Sequence, residues 1–264
     1  MDPAATLALA LAARGGPRLA ALEWHEELVS TSDRLKELAR AGAPDWTAIV
    51  AERQSGGRGR EGRAWLSPAG GLYLSVLLRP GLESTSLIPL AAGVAVAEAV
   101  LDFGVRSELK WPNDVLVGGR KLAGILAEAS SGANGVEWVV LGIGVNLTTE
   151  VAALPETLRA SVTSLAAEGA RDPRAADVAA ATLARLAVWY DALRSAPARV
   201  VAAWRAQAVP WWGALVEVRT GGGELRGRLA AIDEEGALVL ETAAGERLRL
   251  VSGEVSRVRA AASP

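Results

Sequence analysis

Cysteine is absent from the 264 residues, and histidine occurs once, at His25. The first absence excludes disulfides, thiolate metal sites and cysteine nucleophiles. The second excludes a multi-histidine metal centre and argues against a histidine-based triad. Aromatics are also scarce, at 5% of the chain, and nine of them are Trp. No apolar run reaches the ~18 residues of a membrane-spanning helix. The stretch Leu87–Val105 is interrupted by Glu98 and Asp102. Met1-Asp2 supplies no positive charge ahead of the apolar residues 3–13, so no signal peptide is read there. A cytoplasmic protein with no membrane partner is the expectation. A surplus of basic charge is lacking too: 28 Lys+Arg face 30 Asp+Glu, a net charge of -2. General nucleic-acid binders normally carry a clear basic excess, which disfavours that class.

What the chain does have is apolar patterning. Hydrophobic residues make up 50%, enough for one large domain or one with a small companion. Residues 1–29 are Ala/Leu-rich and read as an N-terminal helical extension, with a helix at Ala4–Ala13 stopped by Gly15-Gly16-Pro17. Ser30-Thr31-Ser32-Asp33 marks a helix start, with Gly42 as its stop. Trp46–Glu52 reads as a buried strand that feeds a Gly/Arg loop, Arg53–Pro68. A strand at Leu72–Leu78 and a helix at Ser86–Leu101 follow. Another strand leads to Lys110, and Pro112-Asn113-Asp114 makes a turn. Gly118-Gly119 is a hairpin signal between Val115–Val117 and Lys121–Ala129. Residues 131–135 turn the chain into a strand at Glu137–Val145, and helical spacing covers Arg174–Leu193 and Ala198–Ala206. From Gly213 the pattern changes to about five short strands separated by Gly-rich turns, as in a small antiparallel barrel. The expected fold class is α+β: a mixed sheet with helices over residues 30–209, then a small β domain over 213–260.

The densest chemical signal is Gly57-Arg58-Gly59-Arg60-Glu61-Gly62-Arg63-Ala64-Trp65, placed just after a buried strand. Glycines let a backbone approach a ligand closely and present N–H groups to anions. In an extended segment Arg58 and Arg60 would face one way, as two guanidinium forks suited to phosphate or carboxylate. The plainer alternative is a solvated Arg/Gly loop or an RNA-binding tract. A second cluster joins Lys110-Trp111-Pro112-Asn113-Asp114 to Lys121-Leu122-Ala123-Gly124-Ile125-Leu126. The chain has 25 Arg and three Lys, and two of those lysines fall here, which points to a need for compact ammonium groups. Asp114 could hold a divalent cation or take a proton, or simply satisfy its own turn. Trp65 and Trp111 could stack on a flat ligand or be plain core. Gly142-Ile143-Gly144-Val145-Asn146 closes an apolar strand, where Asn146 could read a base or ribose edge or merely end the strand. It lacks the third Gly and the helix of a dinucleotide fingerprint, and no Walker A motif occurs.

In order and spacing, these four motifs resemble the series found in biotin protein ligases. The segment after residue 213 resembles that family's SH3-like C-terminal domain, so the likeness spans residues 30–258. It implies a catalytic fold akin to class II aminoacyl-tRNA synthetases, followed by an SH3-like β-barrel. It also implies an ATP-dependent, AMP-forming ligase that makes biotinyl-AMP with Mg2+ present. The biotin would then pass to a lysine of a biotin carboxyl carrier domain. Under this resemblance Ser30, Thr31 and Gln54 match positions around the biotin ring system. Gly57, Arg58 and Arg60 match the loop that closes over biotin and the adenylate phosphate, and Arg63 and Trp65 match the nucleotide side. Lys121 matches the lysine that contacts the biotin carboxylate and the phosphate, and Gly124 lies in the same motif as a binding position. Asn113 and Asp114 match positions near the metal and nucleotide, and Asn146 one near adenine. Arg60, Lys121 and Asp114 are thereby implied as the catalytic set, with Asp114 as a metal ligand.

The match departs from the family at two places: Ser32 stands where Asn is common, and Glu61 puts a negative charge inside the Arg loop. Only 29 residues precede Ser30, too few for the winged helix-turn-helix of repressor members, so DNA binding is not expected. Homodimerisation is left open. The nearest alternative enzyme is a lipoate or octanoate ligase, whose Gly-rich motif resembles Arg53–Gly57. That family needs a His-Asp pair just downstream, whereas His25 lies upstream. A nucleic-acid-binding module built from the Arg loop and the small barrel is the alternative of a different class.

Overall fold

The structure, a computed structural model, describes residues 2–81, 85–132 and 135–258. Helix α1 (Pro3–Ala13) begins with Pro at its first position, and the Asp2 carboxylate accepts from the Ala4 N–H. Strand β1 (Ala21–Leu28), helix α2 (Thr31–Arg40) and strand β2 (Thr47–Gln54) follow. β1 runs parallel to β2, with Ala21 opposite Thr47 and Leu28 opposite Gln54. The helical extension expected over residues 1–29 is therefore only partly helical, because its second half is the edge strand of the main sheet. A strand with a wet face and a Glu-rich end, Glu26-Glu27, carries no apolar run to betray it.

Strand β3 (Gly71–Leu78) is buried along its whole length, and helix α3 (Ile88–Leu101) is apolar on nearly every side. Strands β4 (Glu108–Lys110), β5 (Asp114–Val117), β6 (Arg120–Gly132) and β7 (Gly135–Asn146) complete a mixed seven-stranded sheet. Its order is β1-β2-β3-β7-β6-β5-β4. Gly118 and Gly119, at φ 56° and 78°, form the β5–β6 hairpin, since both positions of such a turn need positive φ. Of the expected turn at 131–135, Ala133 and Asn134 lie outside the described residues.

Helices α4 (Glu156–Arg159), α5 (Ala175–Ser195) and α6 (Pro197–Gln207) close the larger domain. Alternation along β2 explains its two-sided cover. Ala48 and Val50 face the large core shared with α1, α3 and α5, whereas Ile49 faces a smaller core with Leu35 and Ala39 of α2.

Strands β8 (Leu215–Thr220), β9 (Gly223–Ile232), β10 (Leu238–Glu241), β11 (Arg247–Leu250) and β12 (Glu254–Arg257) form an antiparallel sheet in the order β11-β10-β9-β8-β12. Five strands were expected, but as a barrel. Among the described residues β11 and β12 stay unpaired to each other, so the sheet is open. Of the expected 213–260 span, residues 259 and 260 lie outside the described residues.

This small sheet is fastened to the larger domain by Trp111, which is 3% exposed. Its indole N–H donates to the Gly236 carbonyl at 3.0 Å. Gly236, at φ 83°, presses so close to α3 that an added Cβ would lie 2.9 Å from Leu87. Trp111→Phe should therefore leave a buried carbonyl without its donor and lower unfolding stability by about 1–3 kcal/mol, measured by urea titration. A change within error would mean that the indole contributes packing alone.

Candidate active site

One end of the site is built by the start of α2. Ser30 Oγ caps the helix, accepting from Asp33 N at 3.2 Å. The Thr31 N–H and hydroxyl both donate to Gln54 Oε1, at 2.8 and 3.1 Å, and Gln54 Nε2 donates to Ser67 Oγ at 2.9 Å. Gln54 thus ties the helix start to both ends of the Arg/Gly loop. Beneath it the hydroxyls of Thr31 and Ser32 meet that of Ser75, at 2.8 and 3.0 Å. A Cβ on Gly142 would sit 2.7 Å from Ser32 Oγ, so this floor requires glycine.

The Arg/Gly loop is an ordered excursion, bridged at Gln54–Ser67 and Arg58–Ala64. It turns at Arg60–Gly62, where Glu61 has φ 56°. Arg58 and Arg60 turn to different partners, and the expected side-by-side pair does not form. Arg58 donates to Asp33 at 2.7 Å and lies 3.5 Å from Glu128. Lys36 joins the same two carboxylates at 2.8 and 3.0 Å. Burial pushes the Asp33 carboxyl up, but hydrogen bonds from Lys36 and Arg58 outweigh it and hold the group below its usual range. Arg63 reaches across to Glu254 of β12 at 2.7 Å. Arg60 pairs with no carboxylate among the described residues; its Nη1 donates to the Gly253 carbonyl at 3.2 Å. Burial draws its pKa below the ordinary arginine value, yet a guanidinium stays charged at neutral pH. Glu61 makes no ion pair among the described residues.

The opposite wall carries the lysines. Lys121 Nζ lies 2.6 Å from Asp114 Oδ1, and Lys110 Nζ lies 3.7 Å from Oδ2 of the same carboxylate. Lys121 also sits 5.1 Å from the centre of the Trp65 ring, a cation–π distance. The Trp65 indole rests on Gly124 and Gly144, where an added Cβ would lie 2.8 and 2.7 Å from its ring. Its Nε1 is buried with no hydrogen-bond partner among the described residues. These glycines make room for an indole. Asn113 donates to the Ile125 carbonyl at 2.7 Å and Asn146 to the Thr163 carbonyl at 3.0 Å, so both amides brace the walls.

Every candidate residue except Gly57 lines one cavity of about 430 Å³. Gly57 is buried behind the loop, where a Cβ would collide with the Trp65 carbonyl. The cavity also takes in Lys110, Gly253 and Glu254. Gly253 and Glu254 had no readable signal, being some 190 residues from the arginines they meet. Ser75 could have been noticed as a hydroxyl inside a buried strand. Among the described residues no three His, Cys, Asp or Glu side chains cluster around a metal position. A lone carboxylate with phosphates suits Mg2+ that arrives with a nucleotide, because that ion keeps most of its waters and takes few protein ligands.

A mixed sheet with a cation-walled cavity, sealed at one side by a small β domain, is the architecture of biotin- and lipoate-type protein ligases. Residues 25–146 match the biotin/lipoate A/B protein ligase family, and residues 213–258 match the biotin protein ligase C-terminal domain. A bifunctional ligase/repressor of Bacillus subtilis is 35% identical over 85% of this chain and 70% of its own length. A biotin–[acetyl-CoA-carboxylase] ligase of Paracoccus denitrificans is 37% identical over 76% of this chain and 86% of its own. The solved structure of the Aquifex aeolicus biotin protein ligase in complex with biotin and ATP superposes with a TM-score of 0.76. It is 32% identical and covers 92% of this chain and all of its own. This chain belongs to the biotin protein ligase family.

Proposed function

We propose that the enzyme activates biotin with ATP to biotinyl-AMP and transfers the biotin to a lysine of a carboxylase carrier domain. The observation that carries this reading is the division of one cavity into two ends. Hydroxyl and amide groups at Ser30, Thr31 and Gln54 suit a neutral polar ring, while Arg60 and Lys121 at the far end suit a carboxylate meeting a phosphate. The family likeness adds the identities of the acid and the nucleotide. The net charge of -2 gives no support to an operator-binding role.

In the first half-reaction the biotin carboxylate attacks the α-phosphorus of ATP and pyrophosphate leaves. Both reactants are anionic, so the barrier falls only if cations already face the place where they meet. Arg60, in no ion pair among the described residues, is poised for the phosphate, and Lys121 exchanges Asp114 for the ligand. Arg63 and Trp65 flank the nucleotide. Arg58 serves the loop rather than the phosphate, since its guanidinium is already spent on Asp33 and Glu128. No protein nucleophile is needed, in keeping with a chain that has no cysteine. In the second half-reaction the ε-amine of the acceptor lysine attacks the acyl carbon of the mixed anhydride, and AMP departs. That amine must first lose a proton from a pKa of ~10.4, and Asp114 is the candidate to take it.

The decisive test is pyrophosphate–ATP exchange with biotin, with lipoate and with no acid. Exchange is expected with biotin alone; exchange with lipoate instead would assign the site to the sister activity. Gly144→Ala adds a test of the Trp65 seat. The new methyl should push the indole off β7 and raise the KM for ATP up to about tenfold, the worth of one aromatic contact. An unaltered KM would remove Trp65 from the nucleotide side.

A further inference from the structure

Two of the three lysines in the chain converge on one carboxylate. Asp114 is 15% exposed at its side chain, Lys110 17% and Lys121 31%, and the three lie 2.6 and 3.7 Å apart through different carboxylate oxygens. Lys121 holds the shorter contact and is the more exposed of the two lysines. Lys110 holds the longer one and reaches the carboxylate from the end of β4, one turn before Asp114 on β5.

Resting on the function proposed above, this geometry points to Lys110 as a positioning residue that holds Asp114 when Lys121 leaves it for the ligand. The reason is electrostatic. If Lys121 moves to the biotin carboxylate and the α-phosphate, Asp114 would lose its nearest cation while facing several more negative charges. An unpaired buried charge is costly, and like charges a few ångströms apart in a partly desolvated cavity repel strongly. A second ammonium already within 4 Å removes that cost, because Asp114 keeps a partner in both states. The pair of lysines also leaves this corner with one positive charge in excess. With Asp114 and Lys121 alone the corner would be neutral, and Lys121 would have every reason to stay. Among the described residues the cavity's arginines form no ion pair with Asp114: Arg58 and Arg63 are held by their own carboxylates, and Arg60, whose charge reaches Asp114 only through space, donates its hydrogen bond to Gly253.

Four variants of the full chain test this: Lys110→Met, Lys110→Arg, Asp114→Asn and the double variant Lys110→Met/Asp114→Asn. Each is measured for thermal midpoint, biotin affinity by calorimetry and biotin-dependent pyrophosphate–ATP exchange. Lys110→Met should lower the kcat of exchange about tenfold or more, equivalent to ~1.4 kcal/mol of barrier, with biotin affinity and KM for biotin changed less than about threefold. Lys110→Arg, which keeps the charge, should recover most of that loss. In the Asp114→Asn background the loss on adding Lys110→Met should disappear, since no anion remains to be held. A loss that persists in that background would overturn the proposal and make Lys110 a direct contact of the phosphates. An equal loss in Lys110→Arg would overturn it as well, and so would a fall in thermal midpoint that accounts for the lost rate. Failure of the parent enzyme to exchange with biotin would strike the proposed function first, and is read separately from the variant ratios.

Discussion

Lys121→Met should lower biotin-dependent pyrophosphate–ATP exchange by about a thousandfold, the scale on which preorganised electrostatic groups act. Lys121 is the cavity's ammonium closest to Asp114, and among the described residues that ammonium is partnered by this carboxylate and the face of Trp65 alone. Each is a contact from which a flexible four-carbon stem can swing away. With the ammonium gone, the carboxylate of the acid and the α-phosphate would meet with one cation fewer where charge is greatest in the transition state. Lost binding would show as a raised KM at unchanged kcat, whereas a transition-state contact lowers kcat itself. A loss below about tenfold would show that Lys121 is not part of the reacting centre.

Arg60→Gly is expected to act differently, on retention rather than on formation of the adenylate. Arg60 holds its loop to the small domain through one hydrogen bond to the Gly253 carbonyl, at 3.2 Å. Arg63 adds the ion pair to Glu254 at 2.7 Å, exposed on both sides and worth little in isolation. Removing Arg60 takes away both the uncommitted cation and one of two ties that hold the loop shut. Lids of this kind shield reactive intermediates from water. Adenylate formation should continue in part, while labelled biotinyl-AMP should leave the variant about a hundredfold faster, the effect of a lost charged contact. Release at the parent's rate, followed by filtration of the preformed complex, would remove Arg60 from the lid. A useful companion is Glu254→Gln, which loosens only the Arg63 tie and should speed release by a smaller factor.

Much of the site was legible because its chemistry is written in short segments. A glycine-spaced arginine run, a turn at Asn113-Asp114, and two lysines in a chain otherwise committed to arginine each mark a place where backbone and charge meet. The core elements were legible for the same reason: β3 and α3 are apolar along nearly their whole length. Strand β1 was not. Its outer edge faces solvent, so half of its residues are polar and the usual run of buried side chains is missing. The barrel expected at the C-terminal end shows the complementary limit. Local turns give the number of strands, but closure depends on whether β11 and β12 meet, and no local pattern encodes that.

The amino-acid order by itself determined which groups are available for chemistry: no thiol, no imidazole pair, and an excess of guanidinium beside two ammonium groups. Those follow from residue type alone, because functional groups do not depend on the fold to exist. Only the tertiary structure decided which of those cations are free. Asp33 and Glu128 claim Arg58, Glu254 claims Arg63, and Asp114 is shared by Lys110 and Lys121, whereas among the described residues the Arg60 guanidinium hydrogen-bonds only to a carbonyl. Coulomb interactions fall with distance and not with sequence separation, so charged partners from 4 to 191 residues apart set the charge each group can offer to a ligand.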